Sequence, residues 1–450
     1  MLFGHPRQAL TALLVLISFG GVAAAESSDW PQWRGPQRNG HGSDTGLLQS
    51  WPEAGPPLAW KKTGLGGGFS SVAVAGDKIF TMGDLGDAQY VLALDRHKGA
   101  HLWKVKIGPS WEDQYLGPRS TPTVDGNRVY ALGTEGTLLC LDSSTGKIVW
   151  QRSLIKDFGG RMMSVGDDGT YNWKFSESPL IDGDRILVTP GGPQAAVVAL
   201  DKNSGKEIWR TALPKFGSKG LDGAGYSSIV ISNGGGVRQY IQLLGRGLIG
   251  LEAKTGRFLW GYDKVANEVA NIPTPLVQGD YIFASSGYGT GAALLRLTQN
   301  KTGVQAEEVY FLTADTFQNH HGGMILKDGY VYAGTGHNKG FPIAVELATG
   351  KIAWGPERNK GSGSAAVAYA DGHLYLRYQN GLMVLAEATL ESYREKGSFP
   401  IPDAEKPSWP HPVIAGGMLY LREQDTLLVY DLVAPKPPKA AAEKDQASTR

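Results

Sequence analysis

A chain of 450 residues with a single cysteine is long enough for a large core and cannot form an intramolecular disulfide. Its 62 glycines and 12 tryptophans suit many tight turns and repeated aromatic contacts. A net charge of +1 gives no bulk electrostatic hold on nucleic acid or on an anionic membrane, so no nucleic-acid partner is expected.

At the amino terminus His5 and Arg7 precede an apolar run at 9–22 that ends in Ala23-Ala24-Ala25. This pattern reads as a secretory signal peptide (residues 1–25) cleaved after Ala25, which predicts a periplasmic or extracellular location. The run is short for a transmembrane anchor, and the residue after the cleavage point is not a cysteine that could carry lipid. Residues 26–57 follow, with Asp29-Trp30-Pro31-Gln32-Trp33-Arg34-Gly35-Pro36 and Leu47-Leu48-Gln49-Ser50-Trp51-Pro52. Prolines at this density exclude a regular helix or a central strand. The segment reads as extended and docked over the surface of the following domain, with Trp30, Trp33 and Trp51 as anchors.

Leu58-Ala59-Trp60-Lys61-Lys62-Thr63 then reads as the outer strand of a sheet with nothing before it. Its missing partners are 412–421 and 426–431, near the other end of the chain. Between these ends one unit recurs. In Leu141-Asp142-Ser143-Ser144-Thr145-Gly146-Lys147-Ile148-Val149-Trp150, two strands flank a turn whose Asp can accept backbone N–H groups and whose Gly supplies positive φ. Close copies end at Trp209, Trp260 and Trp354, and a looser one at Trp103. Successive tryptophans from Trp103 to Trp260 lie 47, 59 and 51 residues apart, the length of a propeller blade. Two further units lack the Trp, at Leu297…Tyr310 and Leu385…Tyr393.

A second, independent series marks the innermost strands, which start at Ser71, Thr121, Ser178, Ser228, Thr274, Gly323, Ala366 and His411. All but His411 are small, as crowding near an axis requires. Both series predict an all-β, eight-bladed propeller of four-stranded antiparallel blades over 58–433, closed by the amino-terminal strand. Residues 434–450 have the composition of a disordered tail.

The Asp-x-x-Thr-Gly-x-x-x-Trp motif resembles the tryptophan-docking repeat of the quinoprotein-like propellers. That family includes the pyrroloquinoline quinone (PQQ) alcohol dehydrogenases and the propeller lipoprotein of the outer-membrane β-barrel assembly machinery. The Trp-Pro-Gln-Trp-Arg-Gly-Pro block, with Gly68-Phe69-Ser70-Ser71, is similar to secreted propellers of Planctomycetes-type bacteria. The resemblance implies that Trp60, Trp103, Trp150, Trp209, Trp260 and Trp354 dock one blade on its neighbour, a structural task.

Blade-to-blade connections are long at 106–118, 155–175, 214–225, 262–271 and 391–409, so a binding site is expected on the face that carries them, at the channel mouth. Two residues before each small position stand Phe69, Arg119, Ser176, Tyr226, Ile272, His321, Ser364 and Trp409. With neighbours in sequence they give a candidate ligand site of Arg119, Glu177, Tyr226, Asn271, Tyr288, His320, His321 and Trp409. Such a set suits a polyanion, a sugar or a quinone. No metal site is expected: the His320-His321 pair can share a metal only on a loop, and Gly166-Asp167-Asp168-Gly169-Thr170 lacks the acidic alternation of a calcium loop.

Two functions follow. One is a binding or scaffold propeller for protein or polysaccharide partners, including strand addition at its outer edges. The other is a PQQ- and Ca²⁺-dependent alcohol or sugar dehydrogenase; against it, the adjacent cysteine pair that the resemblance implies for those enzymes is absent here.

Overall fold

The computed structural model describes Met1 and residues 28–112, 115–164, 171–301, 303–405 and 407–433. The expected signal peptide, the Gly166–Thr170 turn and the expected tail lie outside the described residues. Eight four-stranded antiparallel sheets form the molecule, with only two short helical turns, Leu154–Phe158 and Gly234–Gly236, among the described residues. Blade 1 runs from Ala73–Ala75 to His101–Pro109, and blades 2 to 7 end in turn at Ile148–Ser153, Glu207–Thr211, Phe258–Tyr262, Gly303–Thr313, Ile352–Trp354 and Glu395–Pro400. Blade 8 takes Val413–Ala415, Met418–Glu423 and Thr426–Asp431 from the carboxyl-terminal part and its outer strand, Leu58–Lys62, from the amino-terminal part. Trp60 pairs with Val429 and Lys62 with Leu427, which gives blade 8 its fourth strand and closes the ring.

The repeated hairpin is built as its residue types dictate. Asp142 Oδ1 accepts the N–H of Ser144 (3.1 Å) and of Thr145 (2.9 Å), and Gly146 sits at φ 73°. The strand after the turn slips register just before its tryptophan, between Cys140 and Leu141, between Ala199 and Leu200 and at the matching points of other blades. For Trp103, Trp150 and Trp209 the slip delivers the indole onto the next blade, whereas the indole of Trp260 lies on Gly250 and donates to Gln239 Oε1 (2.8 Å) within its own blade. Trp103 lies against Gly146, Trp150 against Gly205 and Trp209 against Gly256, where a Cβ would strike the ring. Indole N–H groups of Trp103 and Trp150 also donate to the next hairpin, at Ser143 O (3.1 Å) and Lys202 O (2.9 Å). Glycine is needed there both for its positive φ and for the close approach of an indole face.

Two details of the sequence reading change. Tyr310 takes the tryptophan position of blade 5, against Gly350 of blade 6, with its hydroxyl on Leu347 O (2.7 Å). In blade 7, however, Gly397 and not Tyr393 occupies that register, opposite Leu385. The stretch 391–409 is therefore not one long connection, because it holds the outer strand Glu395–Pro400. The amino-terminal arm fills this place: the backbone and Cβ of Trp51 lie over Gly397, and its indole packs on Tyr375 and Phe399, with ring centroids 5.7 and 5.4 Å away.

The arm is not extended throughout. Residues 32–40 turn repeatedly and enter the ring. Trp30 pairs with Val74 of blade 1, and Pro31 O accepts from Val124 N of blade 2. Arg38 donates to Ser178 O (2.8 Å) and Pro179 O (3.0 Å) of blade 3, and Trp33 Nε1 to Thr274 Oγ1 (3.0 Å) of blade 5. Arg34 bonds Met324 O of blade 6, Gly40 pairs with Tyr369 of blade 7, and the Trp33 ring lies 4.4 Å from that of His411 in blade 8. The arm thus plugs the channel and ties seven blades together.

Its flanks mark the end it closes. Asp29 caps Gly76, Asp44 caps Gly417 and Leu47 donates to Asp371, all in the short turns that follow the inner strands.

Candidate functional site

With one end plugged, the channel becomes a blind cavity of about 500 Å³ on the side of the long connections. The inner strands position its wall. The small residues ahead of those strands are bound blade to blade: Thr121 N donates to Ser178 Oγ and Ser178 N to Ser228 Oγ, both at 2.9 Å, while Ser71 Oγ donates to His411 O (2.8 Å). This fixes the backbone just before each inner strand, so the side chains two residues upstream meet around the mouth. Phe69, Arg119, Ser176, Tyr226, Ile272, His321 and Trp409 all line the cavity. Ser364 does not, and instead bonds His320 Nδ1 (2.8 Å) from behind.

Of the eight candidate residues, Arg119, Tyr226, Tyr288, His320, His321 and Trp409 face the cavity. Glu177 and Asn271 lie behind its wall. Glu177 is bonded to the Thr189 N–H and hydroxyl and is fully enclosed. Burial raises its carboxyl to about 7, against the lowering effect of the Thr189 bonds and the Arg38 charge. Asn271 donates to Gly245 O (2.8 Å) and Leu244 O (3.2 Å), which anchors its own connection.

Aromatic contacts organise the rest. Arg119 stacks 4.4 Å from the Trp111 ring and 5.4 Å from Phe69, with its terminal nitrogens on Gly117 O and Tyr115 O. Trp409 lies 4.7 Å from Phe69, and both Tyr115 and His321 lie 4.8 Å from it. Across the cavity, Tyr288 OH bonds His320 Nε2 (3.0 Å), and the His320 ring is 4.2 Å from those of His321 and His337. Burial, and the crowding of like groups, brings His320 and His411 down to about 3 and holds His321 far below the usual histidine range. These rings are neutral at pH 7 and act as hydrogen-bonding groups, not as charges.

Several wall residues carry no signal in the sequence. Trp33 and Arg34 reach the cavity floor from the arm, Tyr171 and Trp173 come from a connection, and His337 sits at φ 54° in the bend after Tyr330–Thr335. Only the length of the 155–175 connection hinted at the second pair.

His320 and His321 do lie on a loop, at 314–323, but both ring nitrogens of His320 are bonded to Ser364 and Tyr288. Among the described residues no three His, Cys, Asp or Glu side chains are grouped to hold a metal ion. No aspartate or glutamate is among the described lining residues. A quinone held through Ca²⁺, the group implied by the quinoprotein resemblance, needs such oxygen ligands, and the one glutamate near the wall is turned away to Thr189. The residues present do not fit that group.

A family model described as outer membrane protein assembly factor BamB matches residues 87–356, more than half of the chain. The chain belongs to this family. BamB of Salmonella typhimurium is 29% identical over 148 residues, which covers 32% of this chain and 31% of that protein. BamB of Moranella endobia is 24% identical over 264 residues, 56% of this chain and 58% of its own. The chain thus spans about a third of the first relative and somewhat over half of the second. Among solved structures, the quinohemoprotein alcohol dehydrogenase of Comamonas testosteroni has a TM-score of 0.60 at 12% identity, over 92% of this chain and 82% of its own, a likeness of fold alone. BamB-type propellers and this chain share the PQQ-like repeat. No helix among the described residues is long and apolar enough to cross a membrane.

Proposed function

We propose that this chain is a protein-binding scaffold that works outside the cytoplasm in outer-membrane assembly, with partners docking on the face that carries the long connections. The observation that supports this reading is the inequality of the two faces. The short-turn face is occupied by the chain's own arm, through Asp29, Asp44 and Leu47. The connection face presents loops of varied chemistry around a cavity mouth, on a ring stiff enough to hold them in place. Membership of the BamB family adds the protein-partner and outer-membrane context.

Site-specific photo-crosslinking in the source cell envelope tests it. A photoreactive residue at Ser218, exposed on the blade 3 to blade 4 connection, is expected to capture a component of the outer-membrane assembly apparatus. The same residue at Asn127, in a short inner turn, is expected to capture none. Equal capture from both positions, or capture from Asn127 alone, sinks the assignment of the docking face. Retention on a polysaccharide matrix with no protein adduct would move the partner class to carbohydrate. On this reading, added PQQ and Ca²⁺ give no bound quinone absorbance and no dye reduction with alcohols or sugars. Appearance of both would install a dehydrogenase instead.

A further inference from the structure

The cavity carries charge and hydrogen-bond donors that partner docking on the loops leaves unused. Arg34 lies in its floor and Arg119 in its wall, and no aspartate, glutamate or lysine is among the described lining residues. Arg34 is only 2% exposed. One of its terminal nitrogens serves the carbonyls of Asn39 and Met324, while Nε and Nη1 have no partner among the described residues. The guanidinium presses on Gly323, itself part of the cavity lining, where a side chain would collide with Nη1.

A buried charge without a counter-charge is costly, and an enclosed donor without an acceptor adds to that cost. Burial lowers Arg34 to about 10, which still leaves it cationic at pH 7. The surrounding histidines are neutral and supply no negative charge.

The Arg34 guanidinium and the His411 ring both press on Gly323, and His411 Nε2 bonds His321 O at 3.1 Å. The His321 ring lies against Trp409, which packs on Phe69, the ring that Arg119 overlies. His321 Nε2 is also buried without a partner among the described residues. Beside this spot stands the ring wall of Trp409, Phe69 and Tyr115. Trp409 Nε1 donates to Gln379 Oε1 (2.9 Å), which leaves the amide N–H groups of Gln379 as further donors. A volume of about 500 Å³ lies within the range of small-molecule sites.

We infer that this cavity binds a carboxylate carried on a single ring, with the carboxylate at Arg119, the enclosed charge of Arg34 beneath it, and the ring against the Trp409–Phe69 wall. Guanidinium groups match carboxylates in geometry as well as charge. Aromatic acids and acidic sugars both offer this chemistry, and the test separates them.

The whole chain is titrated with benzoate, galacturonate and the neutral analogues benzyl alcohol and galactose, by calorimetry and by tryptophan fluorescence, since Trp33, Trp173 and Trp409 line the cavity. At least one acid is expected to bind ten or more times tighter than its neutral analogue. Benzoate alone identifies an aromatic acid, and galacturonate alone an acidic sugar. Arg119→Gln and Arg34→Gln are each expected to weaken that binding tenfold or more. Arg34 also fastens the arm, so Arg119→Gln is the decisive variant if Arg34→Gln fails to fold. Binding of neither acid, equal binding of acid and neutral analogue, or undiminished binding by Arg119→Gln overturns the inference. The result is independent of crosslinking at Ser218, so either reading can fail while the other stands.

Discussion

The seam between blades 2 and 3 and the seam between blades 7 and 8 solve one problem with different parts. At the first, Trp150 lies on Gly205 and donates to Lys202 O, all within the repeat. At the second, blade 7 has Gly397 where the repeat would place tryptophan, and the seam is made from elsewhere. Trp51 of the arm covers Gly397, and Arg377 of blade 7 bonds Glu423 Oε2 (2.7 Å), Arg422 O (2.7 Å) and Pro410 O (2.8 Å) of blade 8 and its approach. Repetition builds most of the ring, and the closing seam is held by long-range contacts that do not repeat. The arm that helps close the ring also floors the cavity, so closure and site formation are one event.

Deleting residues 28–57 while keeping Leu58–Lys62 breaks the comparison most completely. It removes Trp51 from the closing seam and the ties to seven inner strands. We expect loss of a single cooperative thermal transition, read by calorimetry. A transition within a few degrees of the parent would mean that repeat docking alone holds the ring. Next in size is Arg377→Ala, which leaves the buried Glu423 carboxylate with the Ser408 hydroxyl but no counter-charge and is expected to cost about 3–5 kcal/mol in urea unfolding. The double replacement Arg377→Met with Glu423→Leu removes both charges and is expected to cost less than that single change. A double variant worse than the single would show that the carbonyl bonds of Arg377, and not the ion pair, secure the seam.

Trp51→Ala and Trp150→Ala set the two seams side by side. Both indoles are buried, and loss of a buried tryptophan costs about 3–5 kcal/mol. We expect losses within about 1 kcal/mol of each other, because both are buried indoles packed on a tyrosine ring, Trp51 on Tyr375 and Trp150 on Tyr130. A much smaller loss for Trp51 would reduce it to a surface contact.

What the sequence revealed follows the same division. Blade number and closure by Leu58–Lys62 were legible because local patterns carry them: an Asp-headed turn, a glycine with positive φ, and an indole at a set distance along the strand. Seven of the eight positions two residues before the small series line the cavity, because register along an inner strand fixes where the chain crosses the mouth. Trp33 and Arg34 were visible only as residues of a proline-rich arm. Nothing local says that such an arm turns at residues 32–40 and enters a channel built from sequence hundreds of residues away. Glu177 and Asn271 look as polar as Arg119 in sequence, yet just ahead of Leu180–Asp182 Glu177 is buried on Thr189 while its neighbour Ser176 lines the cavity. Tyr393 is the nearest aromatic to the expected place, but the ladder puts Gly397 opposite Leu385.

The smallest expected effect probes the contact between arm and repeat through Glu177, at the approach to blade 3. Its carboxyl titrates at about 7 in the folded chain, against 4.5 in a free side chain, because burial disfavours the charged form. The folded state therefore holds this proton more tightly than the unfolded state. Its contribution to stability is complete below pH 4.5 and is lost as the pH rises through about 7. Glu177→Gln cannot ionise, so relative to the parent it should gain stability between pH 5 and pH 8, by at most about 3 kcal/mol. Thermal melts at the two pH values read this difference, and a constant offset would refute the titration. Arg38 sharpens the test, since its positive charge in the plug opposes the rise. In an Arg38→Met background the advantage of Glu177→Gln at pH 8 should grow, because the ionised glutamate then lacks the one cation the arm brings to it. If Arg38→Met leaves that advantage unchanged, the plug is held at blade 3 by its carbonyl bonds alone and the two parts of the molecule are not electrostatically coupled there.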